Sequence, residues 1–145
     1  MVSVATRPST VLRRVPKELL DADTGVSPDL LIFVGAVVLV TVATFGYFSW
    51  SFPHWICFVL NTVALHLVGT VIHDASHNSA HRNRVVNAIL GHGSALMLGF
   101  TFPVFTRVHL QHHANVNDPE NDPDHFVSTC GTLWLIATRF FYNGL

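Results

Sequence analysis

The sequence has 145 residues, half of them apolar and only 12% charged, with a formal net charge of −1 and a mean hydropathy of +0.42. An ordinary soluble domain carries about 25% charged residues, a disordered tail is charged and poor in apolar residues, and a nucleic-acid binder gathers Lys and Arg on one face; none of these descriptions fits. Two Cys allow one bridge at most, which excludes a disulfide scaffold, so a membrane protein or an unusually apolar core remains.

Residues 1–28 are polar and broken by Pro8, Pro16 and Pro28, and are expected to form an N-terminal arm. Their positive residues lead into more polar sequence rather than an apolar core, unlike a signal peptide. From Leu30 to Trp50 no residue is charged. A bilayer core asks for about 20 such residues in a helix, and Tyr47 and Trp50 lie where interfacial aromatics belong. The β-branched content would suit a strand in water, but a lone strand in lipid leaves its backbone unsatisfied, so a helix is predicted. After a short turn containing Pro53, a second uncharged run extends from Trp55 to Ile72 and predicts the return helix. Its Asn61 and His66 are expected to face protein rather than lipid. Positive residues precede the first run (Arg13, Arg14, Lys17) and follow the second (Arg82, Arg84), so both ends are expected in the cytoplasm.

A third uncharged stretch, within 85–106, contains Gly91, His92, Gly93, Gly99 and Pro103. Arg82 and Arg84 on one flank and Arg107 on the other argue against a single crossing. An interfacial or re-entrant segment, or two short returning helices, is expected instead. The text Asn117-Asp118-Pro119-Glu120-Asn121-Asp122-Pro123-Asp124 repeats a helix-stopping turn pattern. An apolar segment at 133–145 is too short to span. The predicted fold is therefore an all-α integral membrane protein: residues 29–145 form a transmembrane helical hairpin plus cytosolic or interfacial helices.

Those last helices carry the chemistry. Ten His outnumber the eight Lys and Arg together, and imidazole is both a common metal ligand and the side chain that titrates near neutrality. His73, His77 and His81 are spaced by four, which on a helix places them on one face. His109, His112 and His113, spaced by three and four, also share a side. One such box occurs by chance in many helices, but two at membrane edges in one short chain point to metal binding. Imidazole suits Fe, Zn, Cu and Ni alike. Binding requires neutral His and so weakens below about pH 6.5. Asp74 and Asp118 could orient ligands by accepting the other ring N–H, although such residues are most often turn or cap residues, the reading that also fits Asp122. His54 and His92 read as packing residues, Arg107 as a headgroup anchor, and Cys57 and Cys130 as apolar fillers. A phosphate loop, a Ser-His-Asp arrangement and a zinc-finger Cys pattern are all missing from the sequence.

His73-Asp74-Ala75-Ser76-His77, His109-Leu110-Gln111-His112-His113 and the Asn117–Asp124 text resemble the membrane fatty-acid desaturase/hydroxylase superfamily. The longer Thr70–Asn78 and Phe105–His113 segments resemble its cyanobacterial-type β-carotene hydroxylases. The resemblance implies a non-haem centre of two iron ions, O2 as co-substrate, hydroxylation of the β-ionone ring of β-carotene or a related carotenoid at carbon 3, and an electron donor such as ferredoxin. It implies metal ligands at His73, His77, His109, His112 and His113, facing the cytoplasm from a multi-pass protein; His81 is an extra His beyond the core box and, with Asp74 and Asp118, is a candidate supporting residue. The family's third His box is missing; beyond His113 only His125 follows. The chain is accordingly expected to be an N-terminal portion that binds metal poorly and turns nothing over alone. An acyl-lipid desaturase or carotene ketolase would use the same scaffold. A non-enzymatic His-rich metal-binding membrane protein is the alternative of another class, but a metal carrier would bury its ligands at mid-membrane, whereas these boxes lie at the ends of apolar runs.

Overall fold

The computed structural model describes residues 26–125. The bulk of the N-terminal arm, Cys130 and the apolar segment at 133–145 lie outside the described residues. Four helices follow one another: α1 (Pro28–Ser49), α2 (His54–Ser76), α3 (Arg84–Leu98) and α4 (Phe102–Ala114), and no strand occurs among the described residues.

Helix α1 starts where Ser27 Oγ accepts the Leu30 N–H at 3.2 Å and Pro28 supplies a first-turn residue that needs no donor partner. Its two threonine hydroxyls are satisfied locally. Thr41 and Thr44 donate to the carbonyls of Val37 and Val40, each at 2.8 Å, so neither exposes an unsatisfied group to lipid. Both α1 and α2 are long and apolar enough to cross a bilayer. Their outward side chains, such as Phe45, Phe48, Phe58 and Val63, remain exposed as a lipid-facing surface would. Between the helices, Ala36, Ala43, Ala64 and Val68 are buried. Small residues let two backbones approach, which replaces the hydrophobic drive that lipid removes. Gly46 completes the tip of the hairpin, because a Cβ there would run into the Phe52 ring.

One side-chain expectation for α2 changes: His66 is exposed rather than turned against protein, whereas Asn61 is half-buried and donates to its own helix at Cys57 O, 2.9 Å away. The helix also continues past Ile72 to Ser76, so the first His box is its last turn. Asn78 then enters the left-handed region at φ 58°, which asparagine tolerates, and the helix stops.

Helix α3 has a stripe of buried residues, Asn87, Leu90, Gly91, Ser94 and Ala95, at helical spacing. Its opposite face exposes Val85, Ile89 and Leu96. Asn83 caps its start, accepting from the Val85 and Val86 N–H groups, and left-handed Gly99 (φ 83°) ends it. Helix α4 then leaves at a 96° bend. Asn87 locks this arrangement to the hairpin: its amide donates to Ala75 O at 2.9 Å and accepts the His81 N–H at 3.3 Å. A core of Val71, Ala75, Ala80 and Leu90, joined by Phe33 and Phe102, lies directly beneath the His box.

Candidate metal centre

The end of α2 meets α4, and four imidazoles converge there. One ring nitrogen from each of His73, His77, His109 and His113 lies within 4.8 Å of the others. His109 is central: its Nε2 is 3.1 Å from His77 Nε2 and 3.0 Å from His113 Nε2. The His73 ring stands edge-on to it, with centroids 4.7 Å apart. Zinc–imidazole bonds of about 2.0–2.1 Å in tetrahedral geometry imply nitrogen–nitrogen separations slightly above 3 Å, close to the two at His109. Four neutral nitrogen donors fit a first-row divalent metal.

The electrostatics suit that role. Burial, reinforced by the neighbouring imidazoles of His73, His113, His77 and His112, pushes the His109 pKa down to about 4. At neutral pH its ring is therefore uncharged and has a lone pair to offer. Phe105 stacks on the same ring, 5.3 Å between centroids and 9° between planes, and Phe100 stacks in turn on Phe105.

Two carboxylates orient imidazoles. Asp74 Oδ1 accepts from His73 Nδ1 at 2.8 Å. Asp122 Oδ1 accepts from His112 Nδ1 at 2.7 Å. A carboxylate can only accept, so each Nδ1 carries a proton, and this is the tautomer that in the neutral ring leaves the Nε2 lone pair for a metal. The Asp122 side chain is only 3% exposed. Burial alone would raise its pKa, but bonds from His112 and from the Asp124 and Asn117 N–H groups together hold it below the ordinary carboxylate value.

The predicted residues thus divide. His73, His77, His109 and His113 come together. His112 faces away from that cluster toward Asp122 and Asp124. His81 leaves the expected face because α2 ends at Ser76, and its Nδ1 accepts the Asn83 N–H at 2.9 Å. Asp118 does not orient an imidazole ligand. Its oxygens close its own turn by accepting from the Glu120 and Asn121 N–H groups and from Asn121 Nδ2. Those bonds, Asn121 foremost, lower its pKa. The sequence singled out Asp118 over Asp122; the repeated turn offers both, and only the fold shows which one reaches back. Asn87 carried no signal beyond its place on the inner stripe of α3. His54 and His92 make aromatic contacts with Tyr47 and Phe102.

A cavity of about 410 Å3 adjoins His109. Gly69 and Ile72 of α2, Leu98 and Phe100 at the bend, and Val104, Phe105 and Val108 of α4 form its walls, with Asp124 at one side. Apolar side chains thus line most of the approach to His109.

The family model of fatty acid desaturases matches residues 49–144, which include both His boxes. No curated protein and no solved structure matches the chain. With two helices able to cross a bilayer and a His cluster able to hold a metal, the chain belongs to the fatty acid desaturase family and is an integral membrane protein with a desaturase/hydroxylase type of function.

Proposed function

We propose that this protein is a β-carotene 3-hydroxylase, an O2-dependent enzyme with two non-haem iron ions that hydroxylates the β-ionone ring. The observation that carries this reading is the pairing of four convergent imidazoles with a hydrocarbon-lined cavity ending on one of them, His109. The Thr70–Asn78 and Phe105–His113 text supports the carotenoid substrate.

His73, His77, His109 and His113 would hold metal in the cluster, and His112 would offer its Nε2 from the Asp122 side. Iron bound there supplies O2-dependent oxidation of an unactivated C–H bond, which no side chain can perform. The chain's own residues do the rest. Asp74 and Asp122 fix the protonated nitrogens of His73 and His112, so the rings cannot flip between tautomers. Burial keeps His109 neutral. Ile72, Leu98, Val104 and Val108 exclude water and hold a hydrocarbon by shape. In net terms a C–H becomes C–OH and the second oxygen atom leaves as water; the two electrons this needs would come one at a time from a carrier such as ferredoxin, and the two protons from solvent. The positive residues flanking the hairpin support His boxes that face the cytoplasm of a multi-pass protein.

The complete natural protein, expressed in β-carotene-accumulating cells with ferredoxin and its reductase, should yield zeaxanthin, and His112→Ala should abolish the product. New double bonds in acyl chains without hydroxylated carotenoid would instead identify an acyl-lipid desaturase. Undiminished hydroxylation by His112→Ala would remove His112 from the ligand set.

A further inference from the structure

The cavity beside His109 is widened where a side chain is missing. Gly69 lies in the interior of α2, one turn before His73, and lines the cavity. Glycine in a helix interior costs stability relative to alanine, so a local reason is expected. At Gly46, Gly91 and Gly93 the reason is close packing, because a Cβ would strike Phe52, Phe102 or Phe33. At Gly69 a Cβ would meet nothing within 4 Å. Packing therefore does not demand glycine there, and a Cβ would stand in open space at a position that lines the cavity. The remaining lining from α2 and α4 is branched or aromatic: Ile72, Val104, Phe105 and Val108. The volume of about 410 Å3 lies within the roughly 300–1,000 Å3 of small-molecule sites. It accommodates one end of a long lipid-soluble molecule.

Resting on the hydroxylase reading, we infer that Gly69 is a specificity-determining residue, whose missing side chain gives the cavity the width of a methyl-substituted cyclohexene ring. A straight alkyl chain is narrower and does not need that space. A side chain at position 69 narrows the cavity from a wall that is free to take it.

The test is photolabelling of the complete protein in lipid nanodiscs, using two diazirine probes, one built on β-ionone and one on an n-octadecyl chain. Labelling of the Phe100–His109 segment is read by mass spectrometry. Gly69→Leu should lower labelling by the ring probe roughly tenfold or more, because the added side chain takes space the ring would fill. Gly69→Ala should lower it in the same direction by less, and it carries the test if the leucine variant loses helicity. Alkyl labelling should change by less than about threefold. Gly35→Leu, on α1 and also facing nothing within 4 Å, should leave both unchanged. Ring labelling that persists equally in both Gly69 variants overturns the inference and spares the carotenoid reading. Labelling by the alkyl probe alone overturns the ring width together with that reading. If neither probe labels the segment, the cavity is not the binding site and the inference fails.

Discussion

The hairpin and the His-bearing cap are built on opposite principles. In α1 and α2 the stabilising contacts are apolar and small, centred on Ala36, Ala64 and Val68, and Thr41, Thr44 and Asn61 each bond a carbonyl of their own helix. Helix α4 buries no residue at all. Half-buried Phe102 at its start packs against the core, and polar bonds at its end hold the following loop to it: Gln111 Nε2 to Asn121 O at 3.1 Å, and His112 to Asp122. Lipid and side-chain packing suffice to define the hairpin, whereas the cap leaves a crowd of imidazoles whose lone pairs a metal would bind together. Damage to one region should therefore leave the other's signature intact.

The largest effect is expected at the centre of the cap. His109→Ala removes the nitrogen that both His77 and His113 approach. Metal affinity should fall by more than the roughly 10–100-fold typical of losing an outer partner, while helical content stays at the wild-type level. Metal analysis after gel filtration, alongside circular dichroism, checks both; a stoichiometric metal load in the variant would refute the cluster as the site.

Asp122→Asn should come next. It keeps the shape but loses the charge that fixes the His112 tautomer, and about 10–100-fold lower metal affinity is expected. Asp118→Asn disturbs only the turn it closes and should leave affinity near wild type. Equal losses in the two variants would mean that the loop matters as a whole and that the His112–Asp122 bond has no special part. Smaller again for the metal, but larger for the fold, is Ala64→Leu between the spans. Overpacking there should cost about 1–3 kcal/mol of unfolding free energy in detergent without altering metal stoichiometry. A lost metal site with an unchanged denaturation midpoint would reverse the comparison.

The hairpin was legible because lipid imposes one rule, freedom from charge over a bilayer's width, and the runs from Leu30 and Trp55 obey it. The second run read as ending at Ile72 because hydropathy stops at His73, whereas backbone hydrogen bonding continues to Ser76. Spacing also overstated the convergence of the second box. At 100° per residue, His113 lies about 40° from His109 on the helix wheel and His112 about 60° to the other side. Those two rings stand about 100° apart and serve different neighbours. His81 was lost to a single left-handed residue, Asn78, which spacing arithmetic cannot foresee. The choice between Asp118 and Asp122 depended on how the loop folds back over α4, a tertiary fact absent from two copies of the same turn text.

The finest probe of the comparison is acid. In the folded cap His109 takes a proton only near pH 4, whereas an unfolded chain takes it near 6.5. Between those values the unfolded state holds more protons, so stability of the metal-free protein should fall as pH drops from 6.5 and level off below about 4. The depressed Asp122 acts in a second window: its stabilising bonds persist above the ordinary carboxylate range and are lost only as pH falls through its lower folded value. Both groups lie in the cap. His109→Gln should flatten the upper part of the profile in thermal melts, and Asp122→Asn only the lowest part. An upper slope unchanged by His109→Gln would place the acid sensitivity elsewhere. A slope removed by Ala64→Leu would show that hairpin and cap do not unfold as separate units.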